Sequence, residues 1–305
     1  MGHQSRVGAD AFVRFAERSD TCCTWSLHWA KAPDECVRGY TIATILCMST
    51  VLITGASGGI GYELAKLFAR DRHNLILVAR SSDKLAQVAT EMRALGVTVQ
   101  TVALDLSTPS AAKTLFDKLQ SENVAVDILI NNAGFGALGE FATMSEENIL
   151  GQIQLNITAL TELTRSFLPP MLARRSGRIM NVASTAGFQP GPLMAVYYAT
   201  KAYVIYFSEA IADEVRNSGV TITCFCPGAT DTGFAKRAGN DQTRVFKQFG
   251  AMRADKVALD GYRAVMEGKT LAISGIQNWL VAESTRFAPR KLVTAISRWV
   301  SEPTQ

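Results

Sequence analysis

The chain has 305 residues, 48% of them apolar and 19% charged, so it can bury a large core in one or two domains. Its net charge of +4 is small, and it has no Lys/Arg run interleaved with aromatic residues, which argues against nucleic-acid binding. It also lacks a second Cys/His pair with zinc-like spacing, so we expect no metal site.

Residues 1–47 differ in character from the rest of the chain. They hold four of the six cysteines and follow neither the helical nor the strand period. Neither a transit peptide nor a signal peptide fits them, and the uncharged run at 40–54 is too short to span a membrane. We therefore expect residues 1–47 to be an N-terminal extension, the natural protein to begin at Met48, and its location to be cytoplasmic.

From Met48 onward, short apolar runs alternate with longer stretches of helical period, a pattern typical of βαβ units around a parallel sheet. We predict strands near 49–54, 74–79, 97–104, 126–131, 178–183, 220–226 and 270–274. We predict helices near 59–71, 83–95, 109–121, 152–174, 195–217 and 255–267. The fold class is therefore α/β, with a single doubly wound, Rossmann-like domain over residues 48–275. Its sheet has seven mostly parallel strands covered by helices on both faces.

A glycine-rich turn, "GASGGIG", follows the first strand at 55–61 and leads into a helix. Glycine permits close backbone approach, and a helix N-terminus presents free N–H groups, so a diphosphate fits there. The spacing G-x-x-x-G-x-G departs from the general dinucleotide fingerprint. A turn that binds nothing is the alternative.

The second strand ends in Arg80, where NAD sites place a carboxylate for the ribose. A guanidinium there would leave a 2′-hydroxyl without an acceptor but would pair with a 2′-phosphate. The sequence therefore favours NADP(H) over NAD(H). The alternative is a solvated charge at a strand end.

The segment "YYATK" begins a predicted helix and puts Tyr197 and Lys201 four residues apart on one face. An adjacent ammonium lowers the pKa of a tyrosine and lets it exchange a proton near neutral pH. Tyr198 is three residues from the lysine, so the spacing alone leaves two candidates. In the next strand, "VTITCFC", we expect Cys224 and Cys226 to point to opposite faces or into a two-sided core, as buried small hydrophobes.

The motifs "TGASGGIG", "NNAG", "LNITA", "NVASTAG", "YYATK" and "PGATDT" occur in this order. Together they resemble those of the short-chain dehydrogenase/reductase family, in its compact single-domain branch. The resemblance covers Ser49 to Gly275. The family's TGxxxGxG pattern accounts for the unusual glycine spacing.

The resemblance implies a catalytic set. It puts the family's tyrosine at Tyr197, its lysine at Lys201 and its asparagine at Asn156. The family's serine falls on Ser184, with Thr185 as the adjacent alternative, and the second tyrosine of "YYATK" becomes a bystander. Asp105 resembles the aspartate that meets the adenine amino group. The expected cofactor contacts are Gly55, Ser57, Gly58, Gly59, Ile60, Gly61, Arg80, Asp105, Leu106, Asn132, Ala133, Gly134, Tyr197, Lys201, Pro227, Gly228, Thr230 and Thr232.

The activity implied by the resemblance is hydride transfer between a nicotinamide cofactor and a carbonyl or carbinol carbon. Proton transfer at the substrate oxygen would involve the tyrosine, with hydrogen bonding from the serine. A catalytically silent NADP(H)-binding regulatory protein on the same fold is the alternative function. Family members associate through their long helices, so we expect a homodimer or homotetramer.

The segment after Gly228 offers an apolar lining for a substrate pocket, which hints at a lipophilic carbonyl such as a 3-oxoacyl or steroid-like group. The same side chains could equally pack the segment on itself. The lining candidates are Phe234, Val245, Phe246, Phe249 and Met252.

The tail at 276–305 contains a mildly basic amphipathic helix, "RKLVTAISRWV". Its apolar face carries Leu292, Val293, Ile296, Trp299 and Val300. Its basic side chains are Arg290, Lys291 and Arg298. Docking on the domain or on a partner subunit is one expectation, and contact with a membrane surface is another.

Overall fold

The computed structural model describes residues 48–248 and 250–304. The extension at 1–47 and the lining candidate Phe249 therefore lie outside the described residues. The strands are β1 (Thr50–Thr54), β2 (Asn74–Ala79), β3 (Val99–Ala103), β4 (Ile128–Asn131), β5 (Gly177–Val182), β6 (Val220–Cys226), β7 (Thr230–Asp231), β8 (Met252–Arg253) and β9 (Leu271–Ile273).

Helices connect the strands and extend beyond the last one. They are α1 (Gly59–Arg70), α2 (Ser82–Arg93), α3 (Ala111–Ser121), α4 (Glu146–Ile153), α5 (Leu160–Ala173), α6 (Ala195–Glu214), α7 (Gly233–Ala238), α8 (Arg244–Lys247), α9 (Ala254–Glu267), α10 (Ile276–Ser284) and α11 (Arg290–Ser301). A π-helical segment, Gln154–Ala159, joins α4 to α5.

Seven strands form one parallel sheet in the order β3-β2-β1-β4-β5-β6-β9. Alternate residues of each strand serve opposite layers. In β1, Val51 and Ile53 pack beneath α1, α2 and α9, while Leu52 packs beneath α3 and α5. The predicted doubly wound α/β fold is confirmed. It brings the carboxyl ends of β1, β2, β4 and β5 to one edge, where such folds bind ligands.

The long helix predicted near 152–174 begins earlier in the structure, at Glu146. Ser145 caps it by accepting a hydrogen bond from the backbone N–H of Asn148 at 3.3 Å. Two glutamates in the first turn add favourable charge at the helix N-terminus. The polar residues that form this cap and first turn interrupt the apolar period, which is why periodicity alone misplaced the start.

The expectation that Cys224 and Cys226 might face opposite sides of the sheet is wrong. Their Sγ atoms are 3.8 Å apart in one buried cluster, while Phe225 between them packs into the cluster on the other face. Successive side chains of a strand point to opposite faces, so residues two apart, such as these cysteines, lie on the same face. Both cysteines are buried and free, as small apolar side chains would be.

Beyond β6 the chain forms short elements. Strands β7 and β8 pair as a separate two-stranded parallel sheet, and α8 packs against α11. Two helices, α10 and α11, occupy the tail, where a single amphipathic helix had been the expectation. Within residues 48–248 and 250–304, no helix combines the length and hydropathy needed to cross a membrane.

Candidate active site

The turn between β1 and α1 depends on glycine. Gly55 and Gly59 have φ values of 68° and 57°, in the left-handed region. A Cβ added to Gly61 would lie 2.4 Å from the carbonyl oxygen of Gly55 and 2.6 Å from Nδ2 of Asn132, so no side chain fits there. Gly58 precedes the helix without a side-chain cap, and a Cβ there would meet nothing within 4 Å. The uncapped N–H groups and the open space beside them suit a diphosphate.

The ends of β1 and β4 are joined by hydrogen bonds through Thr54. Its Oγ1 accepts from the backbone N–H groups of Asn132 and Ala133, both at 3.0 Å. In return, Nδ2 of Asn132 donates to the carbonyl oxygen of Thr54 at 2.9 Å. These contacts hold the "NNAG" segment beside the glycine turn, so the two expected cofactor segments form one surface.

Arg80 follows β2, and its Nη1 lies 3.8 Å from Oδ2 of Asp105, with 53% of the Arg80 side chain exposed. The backbone N–H and hydroxyl of Ser107 donate to Oδ1 of Asp105 at 2.9 and 2.6 Å. Partial desolvation raises the pKa of Asp105, but these hydrogen bonds and neighbouring arginine charges outweigh it and hold the pKa below its usual value. The exposed Arg80 guanidinium is loosely paired and can bind an anion.

Arg237, on α7, is a residue that the sequence analysis missed. Its guanidinium carbon lies 5.0 Å from the centroid of the Phe135 ring. Desolvation and the charge of Arg80 lower its pKa, and Asp105 opposes them, so a second cation shares this neighbourhood. The only sequence signal was a basic pair at 236–237, which is too common to identify a site.

Ser184, Tyr197 and Lys201 meet where β5 ends and α6 begins. The Nζ of Lys201 lies 5.7 Å from the centroid of the Tyr197 ring and donates to the carbonyl oxygen of Val182 at 2.8 Å. Ser184 Oγ accepts from the backbone N–H of Ala186 at 3.1 Å. Against the rise caused by burial, the Ser184 hydroxyl acts to lower the pKa of Tyr197, which favours Ser184 over Thr185.

The second tyrosine of the motif faces elsewhere. A Cβ on Gly191 would lie 2.1 Å from Cγ of Tyr198, which shows how closely that ring covers the loop before α6. Its centroid is 6.2 Å from that of Tyr197. The ambiguity left by the spacing is thus resolved towards Tyr197 as the partner of the lysine.

The electrostatics of the pair differ from the expectation. Burial raises the pKa of Tyr197 above its usual value, although the hydrogen bond from Ser184 opposes this, so the expected lowering is wrong for the protein by itself. Burial also lowers the pKa of Lys201 to about 8. Burial is the largest influence on the pKa of each group. Near neutral pH the phenol is protonated and the lysine is mostly charged.

Asn156 lies in the π-helical segment, fully buried. Its Nδ2 donates to the carbonyl oxygen of Phe135 at 2.9 Å and to Oγ1 of Thr200 at 3.1 Å, and its Oδ1 accepts from the N–H of Phe135 at 3.1 Å. A Cβ on Gly134 would lie 3.1 Å from Oδ1 of Asn156 and 3.5 Å from Nζ of Lys201. Asn156 therefore ties the cofactor surface to the lysine. Thr200, inside "YYATK", was also missed.

The expected substrate lining is only partly assembled. Phe234 packs on Tyr197, with ring centroids 5.3 Å apart. Val245 and Phe246 belong to α8, which lies against α11, and Met252 packs against the core beneath α9. For these three the structure favours the alternative that they pack within the protein, since α8 lies against α11 and Met252 lies against the core.

A cavity of about 280 Å³ lies instead beside the first turn of α6. The loop after β4 and the loop before α6 form most of its wall, and Arg298 of α11 contributes one side. Its lining residues are Gly139, Glu140, Phe141, Met144, Pro192, Leu193, Ala195, Val196 and Arg298. The cavity wall includes Ala195 and Val196, the two residues before Tyr197, but not Tyr197 itself.

Comparisons with known proteins agree with this geometry. The profile of the family described as "short chain dehydrogenase" matches residues 49–243. Ketoacyl reductase HetN of Nostoc sp. is 38% identical over 185 residues, which is 61% of this chain and 64% of that protein. The chain thus spans less than two thirds of that relative.

Solved structures share the fold. A short-chain dehydrogenase from Sphingobium yanoikuyae, in complex with NADPH, is 34% identical with a TM-score of 0.71, covering 79% of this chain and 94% of that chain. A short-chain dehydrogenase/reductase from Burkholderia phymatum, in complex with NAD, is 25% identical with a TM-score of 0.69, covering 85% of this chain and 98% of that chain. Similar proteins therefore bind either form of the cofactor.

Proposed function

We propose that this chain, which belongs to the short-chain dehydrogenase family, is an NADP(H)-dependent oxidoreductase. It would interconvert a carbonyl and a secondary alcohol. The observation that carries the proposal is the meeting of Ser184, Tyr197 and Lys201 beside the "NNAG" surface. The nicotinamide, when bound, supplies or accepts the hydride. The roles of the chain's own residues follow from their contacts.

Tyr197 acts as the proton donor in carbonyl reduction. Burial keeps its phenol protonated near neutral pH, so a proton is available as negative charge develops on the substrate oxygen. Ser184 hydrogen-bonds to that oxygen. The charged Lys201, one helical turn away, stabilises the phenolate left after the transfer. Asn156 acts as a positioning residue that holds the segment beside the lysine and orients a water between it and solvent.

Arg80 supports a preference for NADP(H) over NAD(H). Its exposed guanidinium lies at the end of β2, and its ion pair to Asp105, at 3.8 Å, is long. The guanidinium could therefore bind a 2′-phosphate with little loss of existing contacts. Asp105 would meet the adenine from the next strand. The NADPH complex of the Sphingobium neighbour supports a preference for NADP(H). Because the Burkholderia neighbour was solved with NAD, the preference of this chain has to be measured.

A lipophilic carbonyl is the proposed substrate class, such as a 3-oxoacyl or steroid-like compound. The apolar side chains of Leu193, Val196 and Phe141 line the cavity at the first turn of α6, and Phe234 packs on the ring of Tyr197. The name of the Nostoc relative, a ketoacyl reductase, supports the acyl alternative.

The chain is further proposed to work as a homodimer or homotetramer in the cytoplasm, with residues 48–275 as its catalytic domain and 276–305 as its tail. Exposed apolar side chains on α4 and α6 support an interface between copies: Leu150, Ile153, Tyr203 and Tyr206. Free, buried Cys224 and Cys226 suit a reducing compartment.

The decisive experiment compares Tyr197→Phe with Tyr198→Phe. Oxidation of NADPH is followed by absorbance with a panel of lipophilic ketones and 3-oxoacyl thioesters. Tyr197→Phe removes the proton donor without changing the ring, so we expect kcat to fall by about 10² to 10⁴, with NADPH affinity by fluorescence unchanged. Tyr198→Phe is the matched control and keeps its activity. Turnover retained by Tyr197→Phe would refute the mechanism, and no NADPH binding by the parent protein would refute the function.

A further inference from the structure

Exposed apolar side chains are concentrated in the tail. In the part of the chain that the structure describes, fifteen large apolar side chains are exposed, and eight of them lie between Ile276 and Trp299. They are Ile276, Trp279, Leu280, Val281, Phe287, Leu292, Ile296 and Trp299. Isolated surface leucines need no explanation, but such a concentration in one segment marks an interaction surface.

Helix α11 exposes its apolar stripe and buries small polar residues instead. Leu292 and Ile296, spaced by one turn, are 52% and 53% exposed. The face that packs on the domain holds Val293, Ser297 and Ser301, at 9%, 2% and 4%, so only one large apolar side chain of α11 is buried there. Burial in the domain therefore does not account for the amphipathic pattern of α11, and something else must cover its stripe.

The stripe continues across the turn that precedes α11. Phe287, between α10 and α11, is 87% exposed, and Ile276, Trp279 and Leu280 share one face of α10 by their spacing of three and four. We name the surface formed by these side chains with Leu292 and Ile296 the tail surface.

The charge of this segment indicates its partner. Residues 276–302 contain four basic and two acidic side chains, and the acidic ones pair with Arg286 and Arg298. Lys291 lies at one edge of the exposed stripe of α11. Neither Arg290 nor Lys291 has an ion-pair partner among the described residues, whereas Arg298 is paired with Glu302 at 3.5 Å. An apolar stripe edged by lysine and arginine is the composition of helices that lie in the surface of an anionic bilayer.

A second copy of the chain fits the tail surface less well. A two-fold interface would place the same basic segment of each copy against the other, and like charges brought together oppose association.

We propose that the tail surface docks on an anionic lipid bilayer, with the side chains of Phe287, Leu292 and Ile296 inserted and the exposed Arg290 and Lys291 at the headgroups. Arg298 of the same helix lines the cavity at the first turn of α6, so docking would set that cavity next to the bilayer. A lipophilic substrate would then reach the cavity directly from the membrane. This last consequence rests on the proposed function, whereas the docking does not.

The test is flotation of the 305-residue chain with vesicles, without cofactor or substrate. We expect binding to vesicles of phosphatidylcholine and phosphatidylglycerol, release at high salt, and little binding to phosphatidylcholine alone. Arg290→Gln with Lys291→Gln should lower the partition coefficient by about tenfold or more, and Leu292→Ser with Ile296→Ser should abolish binding. The matched control, Leu150→Ser with Ile153→Ser, removes exposed apolar side chains elsewhere and should bind as the parent does.

Folding of each variant is checked by circular dichroism and NADPH binding. Equal binding to both vesicle types, or no binding by the parent chain, would overturn the proposal. The proposal would also be overturned if the parent chain were an oligomer that does not bind vesicles and light scattering showed that Leu292→Ser with Ile296→Ser dissociates it. The tail surface would then be a subunit interface. Because no turnover is measured, failure of docking leaves the proposed oxidoreductase activity standing.

Discussion

Before Gly228 the candidate site is made of backbone groups and buried polar side chains, whereas after Gly228 it is made of side chains on short helices. Thr54 binds two backbone N–H groups, and Asn156 binds both backbone groups of Phe135. After Gly228, Phe234 contacts the site by packing on the ring of Tyr197. Arg237 contacts it through its guanidinium, which lies over the ring of Phe135.

The difference separates two kinds of constraint. A contact with a backbone atom tolerates one residue type at one position, so the first region forms a rigid surface that suits the common part of a cofactor. Side-chain packing tolerates many residue types, so the second region can change with the substrate. Changes in the first region should therefore cost more than changes in the second.

Gly61→Ala tests the backbone constraint and has the largest expected effect. The added Cβ would lie 2.4 Å from a carbonyl oxygen of the turn, so α1 must shift. We expect NADPH affinity to fall about 100-fold, the equivalent of about 3 kcal/mol, together with a lower Tm. Gly58→Ala is the control: its φ of 175° suits any residue and its Cβ meets open space, so the Tm should not change. Equal Tm values for both variants would show that the turn is not tightly packed.

The sequence predicted the first region well because its signals are local. Strand β6 has its predicted bounds, and the glycine turn carries its residue types at fixed spacing. The pKa of Tyr197 could not be predicted, since it depends on the burial of the phenol by chain that is distant in sequence. Likewise, Val245 and Phe246 were assigned to the pocket from composition, but the docking of α8 on α11 decides where they lie.

Arg80→Asp tests whether the first region also sets cofactor choice. Loss of a charge-assisted hydrogen bond to a 2′-phosphate costs about 1.5 to 3 kcal/mol, so KM for NADPH should rise about 10- to 100-fold. KM for NADH should fall, because the new carboxylate can accept from the 2′-hydroxyl. Steady-state kinetics with both cofactors measure the change. Arg93→Asp, which alters an arginine elsewhere on the same layer, is the control for net charge. Equal KM values for NADPH and NADH in the parent enzyme would contradict the role of Arg80.

Arg237→Gln tests the second region and has the smallest expected effect. Arg237 shares the neighbourhood of Arg80 and Asp105, but it is exposed and sits on a six-residue helix. Its attraction to a bound cofactor phosphate is therefore screened, and we expect KM for NADPH to rise only about two- to fivefold, less at high salt, with kcat unchanged. Lys236→Gln removes the adjacent charge and should leave KM unchanged. A loss as large as that of Arg80→Asp would mean that α7 binds the cofactor as rigidly as the glycine turn does, and the contrast between the two regions would fail.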